Sequence, residues 1–192
     1  MPIDLAVSRT ALVLIDLQQS NVSRTLVPHP AQRVVDNSAR LATALRGRGG
    51  VVVHVRVLVN ELLSLPVDRP VGRDPSAPPL PPAAWELVGV ERESGDVLIE
   101  KRQWGAFHGT GLDQQLRRRG VDTIVLAGIA TNFGVESTAR AAFDAGYRLV
   151  FAEDAMSTID ADMHRFATQV IFPVMGRVRS TDALLEALAG NA

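Results

Sequence analysis

The chain has 192 residues, 46% of them apolar and 21% charged, with a formal net charge of −1. That balance argues against disorder and against collagen-like or coiled-coil arrays, and it carries no electrostatic footprint for nucleic acid. The chain contains no cysteine, which excludes disulfides, Cys-ligated zinc, iron–sulfur sites and any thiolate nucleophile.

The opening MPIDLAVSRT lacks the basic-then-apolar pattern of a signal peptide. The apolar runs are strand-sized, well short of the roughly 20 residues of a membrane span. These features lead us to expect a soluble, cytoplasmic protein with no membrane partner, folded as one domain over residues 1–192.

Thr10–Asp16 (TALVLID) reads as a first strand. Ala31–Arg48 reads as a helix started by Pro30 and stopped by Gly49-Gly50, with Val34, Val35, Leu41, Ala42 and Leu45 on one stripe. Val51–Val57 (VVVHVRV) follows as a second strand. Pro66–Pro82 holds 7 of the 11 prolines, so it is expected to be a long loop. Its possible roles are a lid, an arm to a neighbouring subunit, or a passive surface excursion. Val97–Lys101 reads as the third strand. Thr110 with Asp113 suggests a capping box for a helix to Arg119, with Gly120 beyond its end.

Thr123–Ala127 reads as a fourth strand, Val135–Ala145 as a helix ended by Gly146, and Tyr147–Ala152 as a fifth strand. A helix over Asp160–Phe172, a short sixth strand around Val178 and a helix over Thr181–Ala189 complete the chain. Several strands are continuous in Val, Ile and Leu rather than alternating, as parallel strands covered on both faces are. The alternation predicts a three-layer α/β/α sandwich on a parallel, doubly wound sheet.

In such sheets ligands bind outside the carboxyl ends of the strands. Asp16, Lys101 and the segment Gly128–Gly134 (GIATNFG) all fall there. Of the 20 basic residues, 19 are Arg, and Lys101 is the single Lys. A lysine delivers a compact charge that arginine cannot. His29, His54, His108 and His164 show no paired metal-ligand spacing, and His54 in its Val-rich strand reads as a core histidine. Ser137 lacks a G-x-S-x-G turn, and no phosphate-binding glycine motif is present.

ALVLIDLQ (Ala11–Gln18), EKRQWGAFHGTGL (Glu100–Leu112) and LAGIATNFGVESTARAAFDAGYRLVFAEDA (Leu126–Ala155) resemble the signature blocks of the isochorismatase-like hydrolase superfamily. The resemblance runs over nearly the whole chain. It implies a six-stranded sheet in the order 3-2-1-4-5-6 and a homo-oligomer, dimer or tetramer. It also implies a catalytic centre of Asp, Lys and Cys. Asp16 and Lys101 match the first two, and Gly134 stands at the cysteine position. Substrate contacts are implied for Gln18, Trp104, Phe107, Ala130, Thr131 and Phe133, and a cis peptide for Ile129–Ala130.

The Asp-x-His zinc pattern of nicotinamidases is missing, so no metal and no cofactor is expected. With glycine in place of the nucleophile, the resemblance points to a hydrolase acting on a small molecule. Asp16 would be its general acid or base beside Lys101, with vinyl-ether hydrolysis among the reactions permitted. The alternative is a non-catalytic small-molecule binding or assembly protein that has lost the nucleophile.

Overall fold

The computed structural model describes residues 3, 5–63, 65–70, 74 and 76–190. Six strands, β1 (Thr10–Ile15), β2 (Val51–Val57), β3 (Val97–Lys101), β4 (Thr123–Ile129), β5 (Arg148–Ser157) and β6 (Gly176–Arg179), form one sheet. All its pairings are parallel, and the order is β3-β2-β1-β4-β5-β6. This is the expected doubly wound arrangement, with the order reversing between β1 and β4.

Strands β1, β2, β4 and β5 alternate between two cores. Ala11, Val13 and Ile15 of β1 face one, with Leu112, Leu116, Val135, Ala139 and Phe172. Leu12 and Leu14 face the other, with Val34, Leu41, Leu45, Leu184 and Leu188. Helices α2 (Ala31–Arg46) and α7 (Thr181–Gly190) cover this second face, after a single turn α1 (Gln19–Val22). Helices α3 (Leu112–Arg118), α4 (Glu136–Asp144) and α6 (Phe172–Met175) cover the first, and α5 (Ala161–Phe166) leads into α6. No helix among the described residues is long and apolar enough to cross a membrane.

The stripe Val34, Val35, Leu41, Ala42 and Leu45 is buried as its spacing predicts, although α2 ends at Arg46, two residues early. The capping box does not form. The Thr110 hydroxyl donates to Ala106 O and accepts from the Leu112 amide, while Asp113 Oδ1 accepts from the Tyr147 hydroxyl. The helix expected over Asp160–Phe172 is broken by a π-helical turn at Ala167–Ile171 and runs on to Met175. Pro173 is accommodated at the start of α6, where its missing N–H is not needed.

The proline-rich stretch is irregular where described, and Asn60 ties its far end through hydrogen bonds with Leu80 N and O. Positions 71–73 and 75 of that stretch lie outside the described residues.

Two strand ends set up the site. β5 slips against β4, with Leu126 beside Phe151 but Gly128 beside Met156, so β5 bulges over 152–155. Gly128 has φ +118° and lies so close to β1 that a Cβ would stand 2.1 Å from Ile15 O. Only glycine fits there.

Candidate active site

Asp16 follows the last residue of β1 and adopts φ +51°, the left-handed region that Asp tolerates better than most residues. Its amide still pairs with Val55 O, while Asn21 Nδ2 donates to its carbonyl. The turn aims the carboxylate along the strand ends. Lys101 closes β3, two strands away, across a gap of about 9–10 Å between backbones. A long, unbranched side chain spans that gap. Lys101 Nζ lies 2.7 Å from Asp16 Oδ2 and donates to Trp104 O at 2.5 Å. Lys101 is 1% exposed and Asp16 5%.

The other carboxylate oxygen, Oδ1, is buried without a hydrogen-bond partner. Burial raises the Asp16 carboxyl to about 6, against the opposing pull of the Lys101 charge and its hydrogen bond. A carboxyl so perturbed at a strand-end ion pair is a candidate functional group.

Gly134 lies against this pair, inside a π-helical turn (Thr131–Val135) that opens α4. A Cβ on it would stand 3.2 Å from Asp16 Oδ2, 3.3 Å from Lys101 Nζ and 2.9 Å from Ile15 Cγ2. The Ile129–Ala130 peptide before the turn is cis, as the resemblance implied.

Other expected contacts divide. Trp104 is 53% exposed and packs edge-on against Phe133, with ring centroids 5.0 Å apart. Their backbones adjoin the site, Trp104 through its carbonyl on Lys101 Nζ and Phe133 as the residue before Gly134. Phe107 turns away and packs on the core and against Tyr147. Gln18 is buried, exchanging hydrogen bonds with Val57 N and O and donating to Ser20, so its amide extends the sheet edge instead of facing a ligand. Ala130 packs on the second core. Thr131 is buried, and its hydroxyl pairs with His164 Nδ1 at 2.9 Å.

That last contact opens onto a cluster not anticipated from sequence. His164 Nε2 and His29 Nε2 lie 3.1 and 3.0 Å from Glu153 Oε1. The hydrogen bond from His164 foremost, then that from His29, outweighs burial and holds the Glu153 carboxyl down at about 2. His54 is the core histidine expected, buried in β2 against Asp96.

Residues 10–183 match the Isochorismatase domain family model. The chain belongs to the isochorismatase family. It is 44% identical over 187 residues to the Uncharacterized isochorismatase family protein YecD of Escherichia coli O157:H7, covering 97% of this chain and 100% of that one. The structure of an isochorismatase family protein from Burkholderia thailandensis superposes with a TM-score of 0.89 at 41% identity, over 98% of this chain and 100% of that one. Streptothricin hydrolase of Streptomyces noursei is 32% identical over 151 residues, 78% of this chain and 50% of that protein. The isochorismatase family is thus hydrolytic in members matched by this chain.

Proposed function

We propose that this isochorismatase-family chain is a small-molecule hydrolase that works without a thiol, with Asp16 as its general acid and Lys101 as its electrostatic partner. One observation carries the reading. Asp16 is held at Oδ2 by an ammonium while its buried Oδ1 has no partner, and burial raises its carboxyl to about 6. A carboxyl poised near neutral pH, with one oxygen free to deliver a proton, is the arrangement general acid catalysis requires.

The absence of cysteine and the bare Gly134 beside the pair support reading the chain as one of a cysteine-less branch of the family. They favour a substrate cleaved by protonation, such as a vinyl ether. Asp16 would give its proton to the terminal alkene carbon, and the ether oxygen would stabilise the cation that forms. Water then adds to the cationic carbon and loses a proton, which returns to Asp16. The resulting hemiketal collapses to a carbonyl compound and an alcohol. Lys101 keeps Oδ2 fixed, so the proton leaves from Oδ1. Trp104 and Phe133 offer an aromatic wall for the substrate.

The same reading includes a homo-oligomer. Phe166, Val170 and Val174 are exposed at four-residue spacing along the α5–α6 segment, an apolar stripe suited to burial against a second copy.

The decisive experiment screens purified protein against vinyl ethers, amides and esters, with Asp16→Asn as control. Turnover of one class that disappears in Asp16→Asn supports the proposal. Turnover that survives in the variant overturns it. Binding without turnover of any class would make the chain a small-molecule binding protein.

A further inference from the structure

We propose that His29, Glu153 and His164 form a binding site for one divalent transition-metal ion of the zinc type. The site shares no residue with the Asp16–Lys101 pair and does not depend on the hydrolase reading. It reverses the expectation of a metal-free chain drawn from histidine spacing, because the ligands come from three distant segments.

The fold brings them together by separate means. His29 follows a cis Val27–Pro28 peptide, on a segment pinned by paired backbone hydrogen bonds between Val27 and Thr158. Its amide also donates to Ser157 Oγ. Glu153 lies on the β5 bulge, where the slipped register releases its side chain from the regular alternation of the strand. His164 sits on α5, whose N-cap Asp160 accepts from the Asp162 and Met163 amides.

Three features favour a metal over a hydrogen-bonded cluster alone. Both Nε2 atoms address the same oxygen, Glu153 Oε1, at 3.0 and 3.1 Å, when hydrogen bonds alone could use the two oxygens separately. The three ligand atoms all lie within 4.8 Å of one another. Ligands about 2.0–2.1 Å from a tetrahedral zinc are separated by about 3.3 Å, so the two Glu–His spacings need to open only slightly.

The third feature is the support behind His164. Its Nδ1 is held by the Thr131 hydroxyl, which can accept Nδ1–H, so Nε2 is the nitrogen left to coordinate once an ion displaces the proton it shares with Glu153. The exposures grade outward, with His164 buried and Glu153 about a third exposed, which gives an ion an entry path. Two imidazoles and one carboxylate are the ligand set of three-ligand zinc sites that keep a fourth position open, and they disfavour Mg²⁺ and Ca²⁺. Thr131 belongs to the turn that carries Gly134, so a bound ion would brace that turn through His164.

The test uses tagless full-length protein, stripped with a chelator and dialysed against Zn²⁺ or Co²⁺. One equivalent of metal should remain after gel filtration, and Co²⁺ should give the visible absorption of a low-coordinate nitrogen–oxygen site. Glu153→Gln and His29→Ala, at the more exposed ligands, should fold normally by circular dichroism and weaken binding at least about tenfold. Thr131→Val should weaken it by roughly 10- to 100-fold, as loss of an outer-shell partner does. His108→Ala, far along the chain from the cluster, should bind as the parent does. Failure of the stripped parent to retain stoichiometric metal overturns the proposal. So does retention that the folded Glu153→Gln and His29→Ala variants leave unchanged.

Discussion

Two buried carboxylates sit at opposite ends of the same sheet, and they differ in how many donors each receives. Asp96 precedes β3 at the amino-end edge. It accepts from Arg46 Nε and Nη2, from the Glu93 amide and, through Oδ2, pairs with His54 Nε2. Burial pulls its carboxyl up, but these hydrogen bonds outweigh it and hold the group below the usual carboxylate range. Asp16, at the carboxyl-end edge, receives one ammonium on one oxygen and nothing on the other, and its carboxyl rises to about 6. The two side chains are similarly shielded, 5% exposed for Asp96 and 7% for Asp16, but Asp16 is the more deeply enclosed, so burial and missing donors act together there. A full set of donors makes a structural anchor, and an incomplete set leaves a group able to exchange a proton.

The sharpest way to break this contrast is to neutralise each carboxylate in turn. Asp16→Asn should lower kcat/KM by about 10²–10⁴, the range typical of a lost general acid, without loss of folding. The asparagine can still accept from Lys101, so the fold keeps its contact. Asp96→Ala should do the reverse, because it leaves the half-buried Arg46 and the buried His54 without their shared partner. Removal of one member of such a cluster costs about 3 kcal/mol, which for a chain of this size lowers Tm by roughly 6–12 °C. Activity per folded molecule should persist. A catalytic loss in Asp96→Ala, or a large Tm loss in Asp16→Asn, would erase the distinction.

A smaller effect probes how tightly the Asp16 end of the sheet is packed. Gly134→Ala places a Cβ 2.9 Å from Ile15 Cγ2, and Ile15 is wholly buried. That crowding should cost about 1–3 kcal/mol, read as a lower Tm, with the Asp16–Lys101 pair displaced. Gly134→Cys carries the same penalty but sets a thiol beside an ammonium in a turn that opens a helix. It should alkylate with iodoacetamide faster than a cysteine introduced on the exposed face of α3, since a lysine neighbour and helix-end amides favour the thiolate. Equal rates would mean that the Gly134 position is not prepared for a nucleophile.

The sheet was legible in the sequence because parallel strands buried on both faces are written as unbroken apolar runs, and all six expected strands form. Asp16 and Lys101 were legible for a topological reason. Both end strands at one edge, and the lone lysine among nineteen arginines singled out the partner. Side-chain direction was not legible. Phe107 and Gln18 fall in the signature blocks, yet one packs inward and the other binds Val57, because orientation depends on neighbours contributed by other strands. The capping box failed similarly, when Tyr147 from across the fold captured Asp113. The His29–Glu153–His164 cluster was invisible because it requires the β5 bulge, and a register slip leaves no local mark in sequence.

The finest test is pH, where the two carboxylates should respond with opposite sign. For Asp16 the folded value of about 6 lies above the usual 3.8, so its contribution to stability is fully present below about 3.8 and is lost as pH rises through 6. The Tm of the parent relative to Asp16→Asn should therefore fall between pH 4 and 7. For Asp96 the folded value is lowered, so its contribution is present above 3.8 and lost as pH falls. The Tm of the parent relative to Asp96→Ala should fall in the opposite direction, toward acid. Activity adds a third reading of the same group. If Asp16 donates the proton, only its protonated form turns over, and kcat/KM should be level below about 6 and drop about tenfold per unit above it. A carboxylate acting as a base would give the mirror image, with activity lost below 6. The direction of that one limb separates protonation of the substrate from activation of water, and it does so without knowledge of the natural substrate, since any turned-over surrogate reports the same group.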